Sequence, residues 1–85
     1  MRLKSNFVTH ATADGMLMIS AGGSFNGMVR SNDTAAYIIE LLKTETSRDG
    51  IIAKMLERYD ATEAQIATDV DAVLEKLRSI GAIDE

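Results

Sequence analysis

Apolar positions along the chain follow two different periods. From residue 35 onward they return at helical spacing in three separate stripes. The first is Ala35, Ile38, Ile39 and Leu42. The second is Ile51, Ile52, Met55, Leu56 and Tyr59, and the third is Ile66, Val70, Val73, Leu74, Leu77 and Ile80. Before residue 32 the pattern is of short strand-like runs: Phe7-Val8-Thr9-His10-Ala11-Thr12, Met16-Leu17-Met18-Ile19-Ser20 and Met28-Val29-Arg30-Ser31. The two halves predict an α+β domain, a three-stranded antiparallel meander followed by three helices.

Polar and glycine residues punctuate these runs at the expected places. Asp14-Gly15 and Asn26-Gly27 are type I′ turn pairs, because both residue types tolerate the positive φ that such a hairpin needs. Gly22-Gly23 breaks the second run before the Asn26-Gly27 turn. Asn32 follows the third strand directly and is a good helix N-cap, its side-chain oxygen accepting from a free first-turn amide. The first helix is predicted over residues 33–43. Thr46 and Asp49 have capping-box spacing at the start of the second, and Thr62 and Gln65 at the start of the third. Gly81 sits where a C′ residue belongs, and Ala82-Ile83 turns a last apolar side chain back toward the core. The chain contains no proline and no internal repeat.

With 85 residues, 46% of them hydrophobic, residues 1–85 read as one small domain with a modest core. No cysteine is present, which excludes disulfides and thiolate metal sites. No run approaches a membrane span, and Met1-Arg2-Leu3-Lys4-Ser5-Asn6 is followed by no signal-peptide core, so a cytoplasmic protein is the simplest reading. Charge is uneven. Residues 1–44 carry four basic and three acidic side chains, residues 45–85 five and ten, within a net charge of −4. The acidic helical half disfavours nucleic-acid backbones and anionic membrane surfaces alike.

Little in the chain suggests chemistry. His10 is the only histidine and reads as a structural strand residue rather than a metal ligand. Ser20, Ser24 and Ser31 lack a nucleophile elbow, and Gly22-Gly23-Ser24 lacks the lysine of a phosphate loop. Asp69 and Asp71 read as solvated helix residues, and Met16, Met18, Met28 and Met55 as core filler. The expectation is a protein with no catalytic site, no cofactor and no metal.

Three segments in sequence carry a resemblance. Asn26-Gly27-Met28-Val29-Arg30-Ser31-Asn32-Asp33-Thr34-Ala35-Ala36 is similar to the strand-to-helix signature of the PqqD-like family of peptide chaperones and RiPP recognition elements. Ile51-Ile52-Ala53-Lys54-Met55-Leu56-Glu57-Arg58-Tyr59-Asp60 resembles that family's second helix, and Asp69-Val70-Asp71-Ala72-Val73-Leu74-Glu75-Lys76-Leu77 with Gly81-Ala82-Ile83 its third helix and closing turn. Three positions depart from the pattern: Ser31 where leucine is common, Ile39 where an aromatic is common, and Gly50 where an acidic residue is usual. The resemblance implies a small winged-helix-like fold that binds the leader segment of a ribosomally made precursor peptide. The leader would add as a strand along Met28, Val29, Arg30 and Ser31 and pack against the third helix, then be presented to a modifying enzyme such as a radical S-adenosylmethionine maturase. An open strand edge suits this, because unpaired backbone groups give affinity while adjacent pockets give specificity.

On the third helix the shoulder bearing Asp69, Ala72, Val73 and Lys76 is the favoured contact, the small Ala72 letting a peptide approach. The opposite shoulder, with Ala67, Asp71 and Arg78, remains open on helical geometry alone. Two other classes compete. A winged-helix DNA-binding regulator needs a basic recognition helix, but the third helix sets Glu63, Asp69, Asp71 and Glu75 against only Lys76 and Arg78. An acyl carrier needs a serine in an acidic Asp-Ser-Leu-like setting, which Thr46-Ser47-Arg48-Asp49 lacks.

Overall fold

The structure is a computed structural model that describes residues 1–20 and 28–85; the Gly22-Gly23 break and the Asn26-Gly27 turn lie outside the described residues. The elements are β1 (Arg2–Leu3), β2 (Phe7–Thr12), β3 (Gly15–Ser20), β4 (Met28–Asn32), α1 (Asp33–Leu41), α2 (Arg48–Arg58), α3 (Glu63–Ser79) and β5 (Ile83–Asp84). Strands β2, β3 and β4 form an antiparallel sheet in that order, followed by the three helices, which is the α+β arrangement expected from the pattern.

The first hairpin is tighter than its sequence suggests. Thr12 pairs with Gly15, so Ala13 and Asp14 are the two loop residues. Neither has positive φ, which rules out the type I′ turn expected on Asp14-Gly15. Gly15 instead opens β3 with φ +151°, and a Cβ built there would lie 2.1 Å from the Ser31 carbonyl oxygen. The glycine is needed for the close approach of β4 rather than for the turn.

Alternation then sorts the strands. Phe7, Met16, Met18, Val29 and Ser31 are buried, while Val8, His10, Met28 and Arg30 face out. β4 runs straight into α1: Asn32 pairs with Gly15 in the sheet, and its side chain accepts from Ala35 N–H at 2.9 Å as the N-cap. Ile38, Ile39 and Leu42 bury the inner face of α1 against the sheet and α3. The helix stops at Leu41, two residues short of the sequence reading, because the carbonyl of its C-cap Leu42 accepts from Leu3 N–H at 2.7 Å.

α2 is capped by Ser47, not Thr46: the Ser47 side chain accepts from Gly50 N–H at 3.1 Å. The Thr46/Asp49 capping box is therefore not formed. Ile51, Ile52 and Met55 are buried as expected, but Leu56 is 38% exposed at the margin of the stripe. Thr62 caps α3 by accepting from Gln65 N–H at 3.2 Å, whereas the Gln65 side chain turns forward to Asp69 instead of back to the cap. At the other end Gly81 has φ +70°, with Gly81 N–H donating to Arg78 and Ala82 N–H to Leu77, the paired bonds of a Schellman motif. That turn delivers Ile83 to β5, which pairs with β1 through Leu3↔Ile83. This two-stranded sheet was absent from the sequence reading.

Leu74 is fully buried at the centre of the α3 stripe. Leu74→Ala should cost about 2–5 kcal/mol through lost transfer energy and a residual cavity; an unchanged urea midpoint would refute this packing. Gly15→Ala should cost about 1–3 kcal/mol for the backbone conformation alone. Displacement of β4 adds to that cost, and should appear as faster hydrogen exchange at Val29 and Ser31.

Candidate functional site

Among the described residues β4 is an edge strand, paired on one side only. Which of its backbone groups face the open side follows from the first hairpin. A two-residue loop makes its closing pair, Thr12↔Gly15, one in which both residues exchange hydrogen bonds, and such pairs alternate along an antiparallel ladder. Gly15, Leu17 and Ile19 thus bond toward β2, leaving Met16 and Met18 to bond toward β4, where they oppose Ser31 and Val29. The Ser31 carbonyl beside Gly15 agrees with this phase. The N–H and C=O groups of Met28 and Arg30, and the N–H of Asn32, therefore point to the open edge; the Asn32 carbonyl belongs to the first turn of α1. Val29 and Ser31 spend theirs inside the sheet.

Beside this edge lies a cleft of about 180 Å³ between β4, α1 and α3. Val29, Ala35, Ile39, Val73 and Leu77 supply its apolar wall, and Arg30, Ser31, Asn32 and Lys76 its polar rim. Of the residues singled out in the sequence, the fold brings Val29, Arg30, Ser31, Val73 and Lys76 together around this cleft. Met28 lies on the same strand, 63% exposed on the outer face. Asp69 and Ala72 sit on the same shoulder of α3 but do not line the cleft. Asn32, Ala35, Ile39 and Leu77 were missed. Asn32 and Ala35 had a signal, since the first turn of a helix that follows a strand without a loop must lie beside that strand's end. Ile39 and Leu77 read only as core.

The opposite shoulder of α3 is occupied. Arg48 at the start of α2 grips Asp71 through two bonds, Nε to Oδ1 at 2.6 Å and a second guanidinium nitrogen to Oδ2 at 3.0 Å. Ala67 faces a hollow shared with α2, and Arg78 holds Glu85. The exposed surface of α3 is left with Glu63, Ala72, Glu75 and Lys76 as its main free features, a poor match for a phosphate backbone. Its charge gives no support to a DNA-reading helix.

A larger, more open hollow of about 540 Å³ lies across the molecule among the start of β3, α1 and the end of α2. Arg58 stacks on the Tyr37 ring there at 4.3 Å, and Tyr37 meets Tyr59 edge-on. These contacts tie the end of α2 to α1. The hollow has no β4 edge beside it, so the smaller cleft is the better candidate. Among the described residues no group of His, Cys, Asp and Glu side chains is placed to hold a metal ion, and no helix is long and apolar enough to cross a membrane.

An open-edged three-stranded sheet backed by three helices, with a cleft between the edge strand and the last helix, defines a small α+β domain with an accessible strand edge. Residues 10–83 match the family described as coenzyme PQQ synthesis protein D (PqqD), and the chain belongs to that family. Two solved structures share the fold. One is a lasso peptide synthetase B1 complexed with the leader peptide, with a TM-score of 0.77 and 22% identity over 95% of this chain and 93% of that one. The other is TbiB1 in complex with the TbiA(beta) leader peptide, with a TM-score of 0.79 and 15% identity over 99% and 100%. No protein of curated function matches significantly.

The Arg48 hydrogen bond holds the Asp71 carboxyl below its ordinary range. Its folded value is thus lower than its unfolded one, so the clasp contributes above the ordinary carboxylate range and is lost as pH falls through the folded value. Both side chains are about half exposed, so the contribution to stability is small. Arg48→Ala should raise the Asp71 titration toward the ordinary range in carboxyl-carbon NMR. An unmoved titration would show that the clasp does not form in solution.

Proposed function

We propose that this chain is a non-catalytic, cytoplasmic protein that captures the leader segment of a ribosomally made precursor peptide and presents it to a modifying enzyme, such as a radical S-adenosylmethionine maturase. The leader adds as a strand along Met28, Val29, Arg30 and Ser31 and lies against Val73 and Lys76 of α3. Asp69 and Ala72 continue that shoulder by one turn and extend the track. The observation that carries this reading is the unpaired edge of β4 directly beside a cleft with an apolar wall. Membership of the PqqD family and the fold shared with two leader-bound proteins support it.

Backbone pairing supplies most of the affinity in this mode, and alternate side chains of the added strand enter pockets. Residues opposite Val29 and Ser31 would point toward α3. Ser31 and Ile39, two of the three departures from the family pattern, both line the cleft. They alter the pocket that reads the leader while leaving the edge unchanged.

The test is titration with a leader peptide encoded beside this gene, followed by amide NMR and calorimetry. Shifts should concentrate in β4 and on the Val73–Lys76 side of α3; shifts confined elsewhere would refute the site. Arg30→Pro removes an outward amide that the sheet does not use, so it should bind far more weakly than Arg30→Ala, which keeps the amide, while still folding. Equal binding by the two would show that backbone pairing at this edge is not the source of affinity. Ala72→Arg, at an exposed position, should weaken binding by obstructing the approach over the helix.

A further inference from the structure

Arg30 is the central residue of the open edge. Both its backbone groups point outward by the register derived above, and its side chain stands on the outer face in the cross-sheet row His10–Leu17–Arg30. Arg30 also contributes to the lining of the cleft, as does Lys76. Among the described residues neither cation holds a carboxylate, although Lys43, Arg48, Lys54 and Arg78 each do. In a chain of net charge −4, two unpaired cations flanking one cleft are a local reversal of sign.

Resting on the leader-binding reading, we propose that Arg30 selects an acidic residue of the leader, Asp or Glu, at the position directly opposite it in an antiparallel added strand. That position follows from the register. Only the leader residue facing Arg30 exchanges both backbone bonds with it, and opposed residues of such a pair place their side chains on the same face about 5.5 Å apart between Cα atoms. Opposite charges at such cross-strand positions attract, and like charges there are destabilising. The neighbours on either side of that acid turn toward α3 and the apolar wall. Lys76 adds to the positive field on the cleft side. The acidic helical half, residues 45–85, repels an anionic peptide over most of its surface, so the charge pattern also favours the β4 edge over the rest of the helical face.

The probe is a library of short random-sequence peptides selected on the full chain, with a parallel selection on Arg30→Glu. The wild-type pool should be enriched in Asp or Glu at one position, and the Arg30→Glu pool in Lys or Arg at that same position, with the flanking preferences unchanged. For one selected peptide, Arg30→Gln should lose about two- to fivefold in affinity and Arg30→Lys much less. An enriched pool without an acidic position, or one whose acidic preference survives Arg30→Glu, overturns the proposal. Amide NMR of the selected complex separates the two levels. Shifts at Met28, Arg30 and Asn32 by a peptide with no acid opposite Arg30 sink the charge selection alone. Binders that shift only other amides, or a selection that yields none, count against the edge reading and the charge selection together.

Discussion

The structure depends on one close approach, that of the β4 backbone to Gly15. The Ser31 carbonyl oxygen lies only 2.1 Å from where the Cβ of any other residue at position 15 would be. This contact brings the end of β4 against the start of β3 and sets which residues of β4 face inward. Asn32 then closes the strand and opens α1 in the same residue, pairing with Gly15 while its side chain caps the helix. With no loop between them, strand and helix have little freedom to slip relative to each other. A one-residue slip would turn Val29 and Ser31 outward and bury Arg30.

From that junction the wall of the cleft follows. α1 begins beside the end of β4, so Ala35 and Ile39 fall next to Val29 and Ser31. α3 is brought to the same place by two constraints. Its middle is clasped to α2 through Asp71 and Arg48, and its finish is turned by Gly81 into β5, which pairs with β1. Leu3 of β1 in turn donates its N–H to the carbonyl of Leu42, the C-cap of α1. The Val73 and Lys76 shoulder is left facing β4, and the Asp71 and Arg78 shoulder is used internally. A strand edge held this way is pre-organised, which lowers the entropic cost of any association made through it.

Much of this was legible in the chain. The periods of the apolar residues gave the order and type of the sheet and all three helices, and Asn32, Thr62 and Gly81 marked ends that the fold keeps. Other local signals were read one residue out. Thr46 and Ser47 are both competent caps, and the choice between them rests on where α2 must begin to bury Ile51 and Ile52. Gly15 was assigned to a turn because Asp-Gly favours one, yet its use is steric and lies across the sheet, at a residue sixteen positions away. Arg2–Leu3 and Ile83–Asp84 are too short to show a strand period and exist as strands only because each meets the other.

The sequence by itself determined the α+β class, the open-edged meander and the absence of a basic recognition helix. These depend on composition and on periods of two and 3.6 residues, which are local properties. Only the tertiary structure decided which shoulder of α3 lies beside β4, because both shoulders flank the same buried stripe and the choice depends on how Ile66, Val70, Leu74 and Leu77 pack against α1 and α2. It alone decided that Met28 and Arg30, with the Asn32 N–H, present the free backbone, since the phase of a ladder is set by how its hairpin closes and not by side-chain alternation. Ile39 and Leu77 belong to the cleft for the same kind of reason: a residue on a buried stripe becomes part of a site only when the packing of two elements stops short of covering it.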